Sequence, residues 1–134
     1  MEVPPGFALT LWATDVFALA DFLEAAAEFQ VVERHPGYAL VRRDGIQIQV
    51  HADESYRGHP WYEALVREGV ARGIGAEIRI RVTDVLSAYR VALARGAQAI
   101  AQPFEYEGTL ECQVMAPDGY VLALWQVWES STTV

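Results

Sequence analysis

Six polar side chains in this sequence have the types and the spacing to meet a small molecule: Gln49, His51, Glu77, Arg79, Arg81 and Glu111. Each falls on the polar side of an alternating run, so each shares a strand face with the others of its run. A carboxylate, an imidazole and a carboxamide can ligate a divalent ion. A His or Glu held near a substrate can also move a proton. Two arginines suit a carboxylate, a phosphate or a flat ring stacked on guanidinium. Trp12 and Trp125 lie on the same kind of face and offer flat stacking walls. A plainer outcome is also open: Arg79 and Arg81 pair with Glu77 and Glu111 and satisfy one another. His51, close to Asp53 and Glu54 in sequence, reads more simply as a surface histidine.

The elements that hold these residues come as a repeat. Thr10-Leu-Trp-Ala-Thr-Asp15-Val is followed by a helix-like run, and later by Asp44-Gly45-Ile-Gln-Ile-Gln-Val-His51. Ile78-Arg-Ile-Arg-Val-Thr-Asp84-Val is followed by another such run, and later by Asp118-Gly119-Tyr-Val-Leu-Ala-Leu-Trp125. A self-similar chain folds as repeated supersecondary units. Unit one spans 7–51 and unit two spans 76–128. Residues 52–75 form a linker with a short helix opened by Pro60. Apolar residues at helical spacing predict helices after Asp15 and after Asp84. Strands are predicted over 7–14, 29–34, 38–43, 47–51, 76–82, 98–102, 109–115 and 120–127. Asp44-Gly45 and Asp118-Gly119 mark tight turns. In the linker, His59, Trp61 and Tyr62 are expected to plug the short helix, with a lid over a cleft as the alternative. Residues after Trp128 are expected to fray.

Every strand has an aliphatic face, such as Ile46, Ile48 and Val50, that needs cover, and the two amphipathic helices supply it. The fold class is therefore α+β, a mostly antiparallel sheet with helices on one side. The opposite, polar face is either solvated or the lining of a cleft.

Composition narrows the function. The chain has 134 residues and a net charge of −8, which suits one domain and opposes a nucleic-acid partner. No apolar run is long enough for a membrane span. The start lacks a signal-peptide pattern, so a cytoplasmic location is expected. Cys112 is the only cysteine and reads as a buried, inert thiol. There is no lysine for Schiff-base chemistry. No G-x-S-x-G, phosphate-binding glycine loop or C-x-x-C occurs.

The two βαβββ units, the Asp after each first strand and the closing Pro117-Asp-Gly-Tyr-Val-Leu-Ala-Leu-Trp-Gln126 resemble the vicinal oxygen chelate superfamily. That group includes glyoxalase I, extradiol dioxygenases and bleomycin resistance proteins. The resemblance implies two tandem units curling into a cupped sheet, helices outside, with the polar faces lining the cup. It also implies a homodimer. Its enzymes hold a divalent metal at one residue from the first and last strand of each unit. The repeat puts those positions at Ala8, Gln49, Glu77 and Ala123, and alanine has no lone pair to offer. The resemblance therefore points to a binding protein with no metal and no cofactor. Its ligand would be an antibiotic or an aromatic or anionic metabolite, held by Trp12, Gln49, His51, Glu77, Arg79, Arg81, Glu111 and Trp125. The alternatives are a metal-dependent lyase, isomerase or dioxygenase with an atypical ligand set including Glu77, and an enzyme using Glu77 or His51 as a metal-free acid or base.

Overall fold

A computed structural model describes residues 6–69 and 71–129. It contains two four-stranded mixed sheets and three α-helices, an α+β architecture of paired βαβββ units. Unit one is β1 (Leu9–Ala13), α1 (Val16–Ala27), β2 (Gln30–His35), β3 (Tyr38–Arg43) and β4 (Ile46–Ala52). The 3-10 turn Asp53–Tyr56 and α2 (Tyr62–Arg67) follow in the linker. Unit two is β5 (Ile78–Arg81), α3 (Val85–Ala94), β6 (Gln98–Tyr106), β7 (Thr109–Met115) and β8 (Val121–Val127). The strand orders are β1-β4-β3-β2 and β5-β8-β7-β6. In each sheet the first and last strands of the unit pair in parallel, and the hairpins are antiparallel.

The registers match across the repeat. Thr10 lies beside Gln49 and Trp12 beside His51; Arg79 lies beside Ala123 and Arg81 beside Trp125. The helices begin where the sequence stops competing with them. The Asp15 carboxylate accepts from Ala18 N–H at 3.1 Å, and that of Asp84 from Ser87 N–H at 3.2 Å. Each satisfies a donor that the first helical turn leaves open. Helix α1 then buries Leu19, Phe22, Leu23 and Ala26, spaced three and four apart, against the sheet. It ends at Glu28, which adopts a left-handed φ of 64°. Asp44 and Gly45 both take positive φ, 45° and 78°, as a two-residue hairpin turn requires.

Aliphatic faces and helices meet as expected. The largest fully buried side chains come from α1, α3 and both sheets, and the buried core includes residues of both units. Helix α1 packs on α3. Two reciprocal clasps tie the units at their strand ends. Asp118 accepts from Thr14 N and Oγ1 at 3.1 and 2.9 Å. Glu28 accepts from Thr83 N and Oγ1 at 2.8 and 2.6 Å. Thr14 and Thr83 hold the same place in the repeat, so each unit offers the other a threonine and receives a carboxylate.

Three local expectations change. Strand β5 starts at Ile78, so Glu77 sits just ahead of it. Strand β6 runs on to Tyr106 through Pro103. Its register shifts twice against β7, once between Ala101 and Phe104, which lets a residue without an N–H sit on this edge strand. Helix α2 has no buried residue and Trp61 is 65% exposed, so Trp61 does not plug the helix. The tail expected to fray falls, apart from Glu129, outside the described residues.

Candidate functional site

The eight residues proposed from sequence divide into two groups. In unit one, Trp12, Gln49 and His51 come together. The His51 ring lies 6.1 Å from Trp12 and 5.1 Å from Tyr38. Its Nε2 is 3.5 Å from Gln49 Oε1, a distance at the limit of a hydrogen bond. Trp12 also packs on Tyr56 at 4.3 Å and donates its indole N–H to Ser55 Oγ at 3.2 Å. Tyr56 in turn stacks on His59 at 4.1 Å. Rings from β1, β3, β4 and the linker thus form one continuous aromatic run.

In unit two, Glu77, Arg79 and Glu111 form a network. Arg79 Nη1 donates to Glu77 at 3.2 Å and to Glu111 at 3.1 Å. Gln113 Nε2 donates to the other Glu77 oxygen at 2.7 Å, and Thr109 Oγ1 to the other Glu111 oxygen at 2.8 Å. The hydrogen bond from Arg79 holds the Glu111 carboxyl below its ordinary range, and the bonds that Arg79 donates to Glu111 and Glu77 raise its own pKa. Arg81 takes no part. Its guanidinium lies over the Trp125 ring, 5.7 Å from the centroid. So Arg79 satisfies itself on carboxylates, while Arg81 engages the aromatic wall instead.

The donor set does not fit the divalent metal that the resemblance implies. Ala8 and Ala123 offer nothing at two of the four positions. Both Glu77 oxygens are already hydrogen-bonded. Gln49 has as its near neighbours Thr10 by register and His51. Among the described residues, no three His, Cys, Asp or Glu side chains gather where a metal ion could sit. Three protein ligands is the usual minimum for such ions.

A cavity lies elsewhere, between β1, α2 and the linker that leads into β5. It has a volume of about 550 Å³ and is mainly apolar, with Leu9, Leu11, Leu65 and Ile78 among its walls. Trp12, Tyr56 and Trp61 supply its aromatic surface. Of the eight residues proposed from sequence, only Trp12 lines it. Arg72 and Tyr120 also line it, with Asp53 behind Arg72 as its partner, and the sequence gives no sign of this role for any of the three. Arg72 Nη1 and Nη2 donate to the two Asp53 oxygens at 2.6 and 2.9 Å, and Nη1 also donates to Trp12 O at 2.9 Å. The Arg72 and Asp53 side chains are only 7% and 11% exposed. Tyr120 Oη donates to Trp12 O at 2.7 Å and accepts from Trp12 N at 3.1 Å. These bonds satisfy the Trp12 N–H and C=O on the free edge of β1, groups that would otherwise lack a partner in the sheet. Burial raises the Tyr120 hydroxyl above its ordinary value. The one signal in the sequence was a linker rich in aromatics yet too polar for a core.

No protein-family model matches the chain, and no curated protein matches it. Solved structures do. It is similar to a glyoxalase/bleomycin resistance protein/dioxygenase family enzyme from Burkholderia phytofirmans, with a TM-score of 0.71 and 22% identity over 90% of this chain and 98% of that one. A glyoxalase-related enzyme from Fulvimarina pelagi gives 0.68 and 18% over 90% and 86%. A glyoxalase/bleomycin resistance protein/dioxygenase from Nocardioides gives 0.64 and 18% over 98% and 89%. The chain has the vicinal oxygen chelate fold. Among the described residues no helix is long and apolar enough to cross a membrane.

Proposed function

We propose that this protein binds a small, largely apolar aromatic molecule in the pocket between β1 and α2, and does so without the metal chemistry of its fold. The observation that carries the reading is the pocket itself. A cavity of about 550 Å³ is in the range that holds a drug-sized ligand. Three aromatic side chains line it, and Trp61 among them is two-thirds exposed and so within reach of a ligand. The alanines at the metal positions support the same reading from the other side. Proteins that bind without turning over need a shaped, apolar space more than a reactive centre.

The same proposal includes a cytoplasmic homodimer that does not bind nucleic acid. Unit two's face, with Trp125, Arg81, Glu77 and Glu111, would then be a second lining or a contact surface. Light scattering at working concentration measures the dimer directly, and a monomer removes that part of the reading.

The pocket is tested by tryptophan fluorescence against a panel of aromatic acids, aromatic amines and antibiotics. At least one compound should shift or quench the emission. Trp61→Ala should weaken that compound about tenfold, the scale of losing one aromatic wall. A response that survives unchanged in both Trp12→Phe and Trp61→Ala would place the ligand elsewhere.

A further inference from the structure

The charge of that ligand follows from which charged groups in the pocket are already engaged. Among the described residues Arg72 is the one cation in the lining, and it is already paired: Asp53 accepts from both of its terminal nitrogens, at 2.6 and 2.9 Å, and Trp12 O takes a further bond at 2.9 Å. Its charge is balanced by Asp53, and at 7% side-chain exposure it offers little surface to an anion. Arg67, next to the mouth in sequence, is held by Glu63 at 2.7 Å. Glu68 is different. It follows α2, lines the cavity and is exposed, and no hydrogen bond or ion pair engages it among the described residues. Among the described residues the pocket therefore presents one uncompensated charge, a carboxylate, together with the aromatic side chains of Trp12, Tyr56 and Trp61.

Resting on the pocket reading above, we infer that the site selects an organic cation: a flat or apolar body against the indoles, with its positive charge toward Glu68. Ring faces attract cations through their quadrupoles, indole most strongly, and a carboxylate adds a direct charge contact. The anionic preference suggested by Arg79 and Arg81 does not apply here. Neither lines this cavity, and Arg79 is neutralised by Glu77 and Glu111.

Titration calorimetry with three probes of similar shape decides the matter: N-methylquinolinium, neutral quinoline and 1-naphthoate, at physiological salt. N-methylquinolinium should bind most tightly, about tenfold better than quinoline, and 1-naphthoate least well. Glu68→Gln should bring the cation close to quinoline and leave quinoline unchanged. A general pull from the acidic surface would not do this, because the variant removes one of 18 acidic residues. Quinoline binding as tightly as the cation, with Glu68→Gln without effect, would remove the cation assignment and leave the pocket standing. So would 1-naphthoate binding best. No binding by any probe would remove the pocket reading and this inference with it. Glu68 is exposed, so the variant keeps its fold, and circular dichroism verifies that.

Discussion

Glu77 has the right chemistry for a metal ligand, but Arg79 and Gln113 already occupy its two oxygens. Residue type and position were legible in the sequence; the partners were not, because pairs such as Arg79 with Glu111 join strands that are distant in the chain. Three predictions belong at this scale. Glu111 has its pKa lowered from an ordinary 4.5, first by the Arg79 hydrogen bond and then by that from Thr109. A lowered carboxylate stabilises the fold above its unfolded pKa and loses that contribution as pH falls through its folded value. Urea midpoints should therefore drop more steeply between pH 5 and 3 (about that window, from the direction of the shift) in the native protein than in Glu111→Gln. Solvent reaches Arg79, whose side chain is 47% exposed, so the effect is modest. Cys112 is buried, and burial pushes its thiol up to about 11. A thiol reagent at pH 8 should leave it untouched in the native state and label it at once in urea. Arg72→Ala strands the Asp53 carboxylate in a buried place and should cost about 3 kcal/mol in urea unfolding. Asp53→Ala combined with it should cost less than the sum of the two.

At the scale of elements, the sequence was most readable where local chemistry settles local structure. Asp15 and Asp84 were recognisable as helix starts, and both carboxylates cap. Asp15→Ala and Asp84→Ala should each cost about 1 kcal/mol, and near-additively since the caps share no partner. Differential thermal or urea unfolding measures both. Legibility failed in the linker. Its path depends on close approach to unit two, which leaves no periodic mark. Gly73 is the clearest case. A Cβ there would collide with Gly119 O and lie 2.7 Å from Tyr120 Cα, both backbone atoms that cannot swing aside. Gly73→Ala must push the linker off β8 and disturb the Tyr120 hydroxyl beneath the pocket. Trp61 was misread for the same reason: an aromatic in a short helix reads as an anchor until the missing cover becomes visible.

For the molecule as a whole, duplication was the strongest signal, and the two units repeat each other down to strand register. What duplication did not carry was the fate of the polar faces. Within the chain the polar side chains gather in separate clusters on the two sheets, one aromatic around Trp12 and His51, one ionic around Arg79. The cavity opens beside the free edge of β1, where the linker closes over it. Equivalent positions had diverged in type, as with Trp12 and Arg81 or His51 and Trp125, so symmetry could locate them without predicting what they meet. The core includes both units and the threonine clasps tie their ends. We propose that they unfold together as one domain, in a single urea transition seen alike by fluorescence and circular dichroism. The central claim is that a ligand is held in the Trp12–Trp61 pocket without a metal. Its most direct test is the calorimetric isotherm of N-methylquinolinium before and after exhaustive chelation of the protein. The account predicts saturable binding with the same affinity in both. Binding that disappears on chelation and returns with a divalent cation would contradict it.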